Sequence, residues 1–208
     1  MRLPKLYPIV DKATLDARGI RVSCFAGEMA RAGVGILQYR DKLGAPQEVL
    51  RGARAVAEAF AGVPCRFVLN DRADFARLLK TALHVGQEDL PAVAARQIVS
   101  DEVIGFSTHN AEQLKRGDAE PVEYLSIGPI FATTSKLRPD PAVGIEGLKS
   151  LRALTQKPLC AIGGITLANV GEVFAAKADS VAVISGIVPE ICNRKALKAR
   201  TMEWLAAG

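Results

Sequence analysis

Gly35-Ile36-Leu37-Gln38-Tyr39-Arg40-Asp41-Lys42 begins as an apolar run of strand length and ends with an amide and two cations at alternate positions. Successive side chains of a strand point to opposite faces, so residues 38, 40 and 42 fall on one side. Seven other short apolar runs have the same form. Residues 6–10 lead into Asp11, 66–70 into Asp71, 82–85 into Gly86 to Asp89, and 103–107 into Thr108 to Asn110. Residues 123–127 lead into a long connection containing Thr133 to Lys136, 159–162 into Gly163-Gly164, and 180–185 into Gly186. Stretches of helical spacing separate them, among them 46–60 behind Pro46, 92–98 behind Pro91, and 189–207 at the end of the chain. Eight strands alternating with helices predict an α/β chain folded as one (β/α)8 TIM barrel over residues 1–208. The rival arrangement, a doubly wound open sheet, offers a crevice to only some strand ends, whereas a barrel gathers all eight around one mouth.

Composition agrees with that class. Of 208 residues 49% are hydrophobic and only 5% aromatic, which suits aliphatic helices packed on a buried parallel sheet. The four cysteines, Cys24, Cys65, Cys160 and Cys192, form no CxxC pair, so reduced thiols are expected rather than zinc or disulfides. No early apolar run suits a signal peptide and none approaches the roughly 18 residues of a membrane span, so a soluble, cytoplasmic protein is expected. Twenty-seven Lys and Arg against 22 Asp and Glu give a formal charge of +5. The basic residues are dispersed without aromatic interleaving, which argues against nucleic acid and for a small phosphorylated ligand.

Several strand ends carry chemistry. Gln38, Arg40 and Lys42 would line one wall of the mouth as an anion site, since unpaired buried cations are costly. Asp71 and Asp89 end neighbouring strands and could share Mg²⁺, which is usually held by one or two carboxylates with water and phosphate oxygens; capping a helix explains either one alone. Ser107, Thr108 and His109 precede a helix that Asn110 should cap, and His109 invites an acid/base role because imidazole titrates near neutrality. His84 lies within a strand and reads as a packed barrel residue. The connection from Pro129 to Pro141 has the length of a lid, and its Thr133, Ser135 and Lys136 suit phosphate, although a surface loop would look the same. Gly163-Gly164 and Ser185-Gly186 follow the seventh and eighth strands, where barrels commonly bind phosphate.

QYRDK at 38–42, LNDRADFA at 69–76, HVGQEDLP at 84–91, GFSTHN at 105–110, YLSIGPIFATTSK at 124–136, AIGGI at 161–165 and VAVISGI at 181–187 together resemble the thiamine phosphate synthase family. The resemblance covers most of the chain. It implies joining of a hydroxymethylpyrimidine pyrophosphate to a thiazole phosphate with release of pyrophosphate, and a requirement for Mg²⁺. Carried over by position, Gln38 holds the pyrimidine with help from Ser107, while Arg40, Lys42, Asn70 and Lys136 contact the pyrophosphate. Arg40, Lys42 and Lys136 would stabilise the charge of the leaving group. Asp71 and Asp89 become the magnesium ligands, and Thr133, Ser135, Gly164, Ile184 and Ser185 bind the thiazole phosphate. The partners implied are these two small substrates, with no nucleic acid and no membrane; the oligomeric state stays open, a homo-oligomer being compatible. The chain departs from the family's usual pattern at Leu79 to Leu83 and at Pro121 to Tyr124, both ahead of strands and away from the mouth.

Three rival functions share some of these features. A thiazole tautomerase-like barrel would need an acid/base such as His109 but has little use for a pyrophosphate and metal site. A non-catalytic phosphate-ligand protein would form no product. A nucleic-acid binder would show steep salt dependence. The resemblance also yields a test in the 129–141 loop: Lys136→Ala should lower kcat more than it raises KM for the pyrimidine substrate. A loss on the order of 10²–10³ is expected for one such electrostatic contact. Single-turnover measurement of pyrophosphate release checks it, and an unchanged chemical step would remove Lys136 from the reaction.

Overall fold

A computed structural model describes residues 1–133 and 140–208. Its eight strands are β1 Leu6–Asp11, β2 Ile36–Arg40, β3 Arg66–Asn70, β4 Ala82–Val85, β5 Ile104–Thr108, β6 Tyr124–Ile127, β7 Leu159–Ile162 and β8 Ser180–Val183. All neighbours are parallel and the sheet closes on itself, with Leu6, Tyr7 and Pro8 of β1 in register with Val181, Ala182 and Val183 of β8. The expected barrel is therefore the observed one. The helices are α1 Lys12–Ala17, α2 Val22–Arg31, α3 Pro46–Ala59, α4 Ala73–Leu79, α5 Ala92–Val99, α6 Ala111–Ala119, α7 Gly144–Arg152, α8 Val170–Ala175 and α9 Arg194–Ala206. Among the described residues no helix is long and apolar enough to cross a membrane.

Strand parity divides the apolar residues into two cores. Leu37, Leu69, Leu83, Val85, Leu125, Ile127 and Val181 point outward and pack under the helices. Tyr7, Ile9, Ile36, Val68, Ala82, Tyr124, Cys160 and Ala182 point inward and fill the barrel. Asn110 accepts from the Gln113 amide at 2.9 Å and caps α6 as its position suggests. The cysteines are free, with Cys160 buried in the inner core.

Element ends differ from the sequence reading where a local bond decides them. The last helix starts at Arg194 rather than at 189, because Asn193 caps it by accepting from Ala196 N. The Pro189 and Glu190 carbonyls instead accept from Arg18. The eighth strand stops at Val183, and Ser185–Ile187 form a 3-10 turn whose Gly186 carbonyl accepts from Trp204 Nε1 at 3.0 Å. At the departure before β6, both carboxylate oxygens of Glu123 accept from Arg96 Nη2, and Oε2 also accepts from Ile104 N, tying α5 to the bottom of the barrel.

Gly105 lets the inner core close. A Cβ there would stand 2.0 Å from Cζ of Tyr124, whose ring lies across the barrel beside β5. Gly105→Ala should therefore destabilise the fold by about 1–3 kcal/mol, the usual cost of forcing a methyl into a packed interior. Urea denaturation of parent and variant measures it, and an unchanged midpoint would mean that the Tyr124 ring moves aside freely.

Candidate active site

The barrel mouth holds one deep cavity to which strands from all sides contribute. Gln38, Arg40, Asn70, Ser107, Thr133, Gly164, Ile184 and Ser185 line it. These are eight of the residues singled out by sequence. Lys42, Asp71 and Asp89 form a separate cluster at the ends of β2, β3 and β4, next to cavity-lining Asn70. Ser135 and Lys136 lie outside the described residues.

β2 delivers its side chains as the alternation requires, up to a point. Gln38 and Arg40 face the cavity, but the strand ends at Arg40, and Lys42 sits in a turn that Asp41 builds by accepting from the Leu43 and Gly44 amides. Lys42 therefore swings to the carboxylates, its Nζ 2.6 Å from Asp71 and 3.3 Å from Asp89. Arg40 is held from behind: Nη1 lies 2.5 Å from Asp11 Oδ2. The other oxygen of Asp11 accepts from Thr14 N and Thr14 Oγ1 and so caps α1. A carboxylate with only 6% exposure thus fixes both a helix start and a guanidinium at the mouth.

The carboxylate pair shares a single cation, Lys42, and is left one positive charge short. Burial and the neighbouring Asp89 carboxylate push the Asp71 carboxyl up to about 6, against the pull of Lys42. Asp89 stays below the usual range: burial opposes its ionisation, but its bonds with Asp71, the Gly86 amide at 2.7 Å and Lys42 outweigh that. For Lys42 burial is likewise overcome by the two carboxylates, so its pKa is raised. Among the described residues no third His, Cys, Asp or Glu joins the pair as a metal cluster. Two hard oxygen donors that share one lysine fit a divalent cation such as Mg²⁺ that completes its shell with water and phosphate.

The floor of the cavity is a hydrogen-bonded chain. Gln38 Nε2 donates to Tyr7 Oη at 3.1 Å, and the Tyr7 and Tyr124 hydroxyls are 2.8 Å apart. Tyr124 Oη meets His84 Nδ1 at 2.9 Å, and His84 Nε2 meets Ser107 Oγ at 2.9 Å. Burial lowers the His84 pKa to about 4, and raises those of Tyr7 and Tyr124 well above the ordinary phenol value. All three side chains are neutral at pH 7. His84 is the packed barrel residue expected, yet it is also a polar link between two candidate ligand groups. Sequence reading gives no role to Tyr7 or Tyr124, and reads Asp11 only as a polar strand end. The available signal was parity: Tyr7 shares its face with Ile9, and Tyr124 with Ser126, so both hydroxyls had to enter the barrel.

His109 lines the same cavity, and its Nδ1 lies 2.6 Å from the Gly128 carbonyl, which makes that nitrogen a donor. The glycines after β7 have a more local reason than phosphate approach. Gly163 and Gly164 adopt φ of 98° and 65°, and a Cβ on either would come within 2.6 Å of the Pro129 or Ala132 backbone. They permit the β6–α7 connection to cross β7 closely.

Over residues 6–187 the chain matches the family described as thiamine monophosphate synthase. A thiamine-phosphate synthase of Koribacter versatilis is 47% identical over 195 residues, 90% of each chain. One of Agrobacterium fabrum is 40% identical over 190 residues, covering 88% of this chain and 86% of the relative. The solved thiamine phosphate pyrophosphorylase of Pyrococcus furiosus superposes with a TM-score of 0.82 at 25% identity, over 98% of this chain and 96% of its own.

The Asp71 shift has a testable sign. With its folded pKa near 6 and an ordinary value of about 4, the folded state holds this proton more tightly between the two, so the Asp71 contribution to stability falls as pH rises through that window and levels off above it. His84, whose pKa is lowered to about 4, contributes in the opposite sense over the same window, so in thermal melts of metal-free protein from pH 4 to 7 the stability of Asp71→Asn should rise with pH more steeply than that of the parent. Parallel curves for parent and variant would contradict the assignment.

Proposed function

Because the chain belongs to the thiamine monophosphate synthase family, we propose that its cavity joins an aminopyrimidine pyrophosphate to a thiazole phosphate, forming thiamine phosphate and releasing pyrophosphate. The activity is that of a thiamine-phosphate synthase, a transferase. The observation that carries the residue assignments is the division of the mouth: cations and carboxylates stand at the ends of β2 to β4, glycines and a hydroxyl at the ends of β7 and β8. Two phosphorylated substrates need two such regions.

In this reading Gln38 and Ser107 hold the pyrimidine, and Arg40, Lys42, Asn70 and Lys136 the pyrophosphate. Thr133, Ser135, Gly164, Ile184 and Ser185 take the thiazole phosphate. The reaction is a dissociative displacement: the bond from the pyrimidine methylene to the pyrophosphate oxygen breaks with its electron pair leaving on oxygen, and the thiazole nitrogen then donates its lone pair to the stabilised cation. The demand on the protein is for fixed positive charge near the leaving group. Arg40, oriented by Asp11, meets it without reorganisation at the moment of bond breaking. Asp71 and Asp89 would hold Mg²⁺, which supplies further charge neutralisation to the pyrophosphate when bound. Ile9, Pro129, Ile162, Ile165 and Val183 line the remaining wall and keep out water that would trap the cation. No general base is required, so His109 positions the Gly128 carbonyl rather than moving a proton. Phosphorylated substrates do not cross membranes unaided, which supports a cytoplasmic location.

Incubation with both precursors and Mg²⁺ should give thiamine phosphate and pyrophosphate in equal amounts, and chelation of the metal should stop it. Asp89→Asn should weaken the dependence on Mg²⁺ and lower turnover, whereas His109→Gln should keep substantial activity. Metal titrations and initial rates distinguish these outcomes. Parent-like behaviour of Asp89→Asn would dismiss the metal site, and complete loss in folded His109→Gln would restore an acid/base role.

A further inference from the structure

The chain of hydroxyls beneath the cavity has a direction. Gln38 donates through Nε2 to Tyr7, and its Oε1 has no partner among the described residues in a side chain that lines the cavity. Having accepted from Gln38, Tyr7 turns its own hydrogen to the Tyr124 oxygen. Tyr124 must then donate onward, and its remaining partner is His84 Nδ1. With Nδ1 accepting, neutral imidazole carries its proton on Nε2 and donates to Ser107 Oγ. The Ser107 hydrogen is thereby released, toward Ser126 at 3.3 Å or toward a ligand.

We infer that Tyr7, Tyr124 and His84 are positioning residues that commit Gln38 to accept and Ser107 to donate, so that the cavity selects an aminopyrimidine over its oxo counterpart. The inference rests on the synthase reading of this cavity and adds the basis of its ring selectivity. An isolated glutamine selects poorly, because a half-turn of its amide exchanges donor and acceptor. Here that turn cannot occur alone: Tyr7, Tyr124, the His84 tautomer and Ser107 would all have to reverse with it. A ligand with an amino group at Gln38 and a nitrogen lone pair at Ser107 matches both ends together. An oxo group at Gln38 faces the amide oxygen, and burying two acceptors against each other is costly.

Tyr124→Phe tests this, since it removes the hydroxyl that joins the two halves. Tyr7, deprived of its acceptor, would donate to Gln38 Oε1 and turn the amide over. Inhibition constants of the unphosphorylated 4-amino and 4-oxo hydroxymethylpyrimidines against the pyrimidine substrate give the selectivity. The parent should favour the amino compound at least about a hundredfold. In Tyr124→Phe that preference should shrink about tenfold or more, with KM for the thiazole phosphate unchanged. Loss of affinity for both pyrimidines alike, or an unaltered preference, would overturn the relay and leave Tyr124 a packing residue. ¹⁵N chemical shifts of His84 in the parent provide a second measurement that does not depend on the variant folding: a protonated Nε2 and bare Nδ1 are expected, and the opposite tautomer or an imidazolium would overturn the proposed direction. A parent that forms no thiamine phosphate would refute the synthase reading instead, whereas one that forms it without ring preference refutes the relay alone.

Discussion

Closure of the sheet between β1 and β8 is the constraint on which the molecule depends. A parallel sheet closed in this way has no edge strand, and its inward side chains must fill a space that the helices cannot reach. At the lower levels apolar side chains do this alone, where Ile36, Val68, Ala82 and Cys160 meet. Higher up, Ile9 and Ile162 share the interior with polar side chains, and every polar group there must find a partner within the barrel or in a ligand. The Gln38 to Ser107 chain is what that requirement produces, and its two ends emerge in the cavity.

The same closure explains how stability and binding divide between the two cores. Outward residues lie in an aliphatic layer under the helices, where packing decides the outcome. Inward residues combine filling with recognition: Tyr124 needs Gly105 to make room for its ring and uses its hydroxyl to connect β1 with β4. Asp11 does similar double duty by capping α1 and anchoring Arg40. Substitutions at these positions act on fold and site together.

Much of this was legible in the sequence because short apolar runs between helical stretches, repeated eight times with a polar residue at each strand end, leave few alternatives to a barrel. The parity that placed Gln38 and Arg40 at the mouth is a local property and carried through. Lys42 is two residues beyond Arg40 but no longer in the strand, and only the Asp41 turn reveals that it meets Asp71 and Asp89. The Asp11–Arg40 pair and the Tyr7–Tyr124 bond join residues 29 and 117 positions apart, a relation that register across the barrel creates and no single segment contains. The double glycine was legible as a special backbone, whereas its cause, the crossing of the β6–α7 connection, is a tertiary fact.

Trp204 is the chain's sole tryptophan, and its indole donates to the carbonyl of Gly186 in the turn that closes β8 at the cavity. Indole emission depends on the field at the ring, and here a single emitter is bonded to the backbone that borders the proposed thiazole phosphate region. The molecule therefore carries a built-in optical reporter. An anion that settles at that turn should change the protein's own fluorescence, without a label and without waiting for chemistry at the opposite wall.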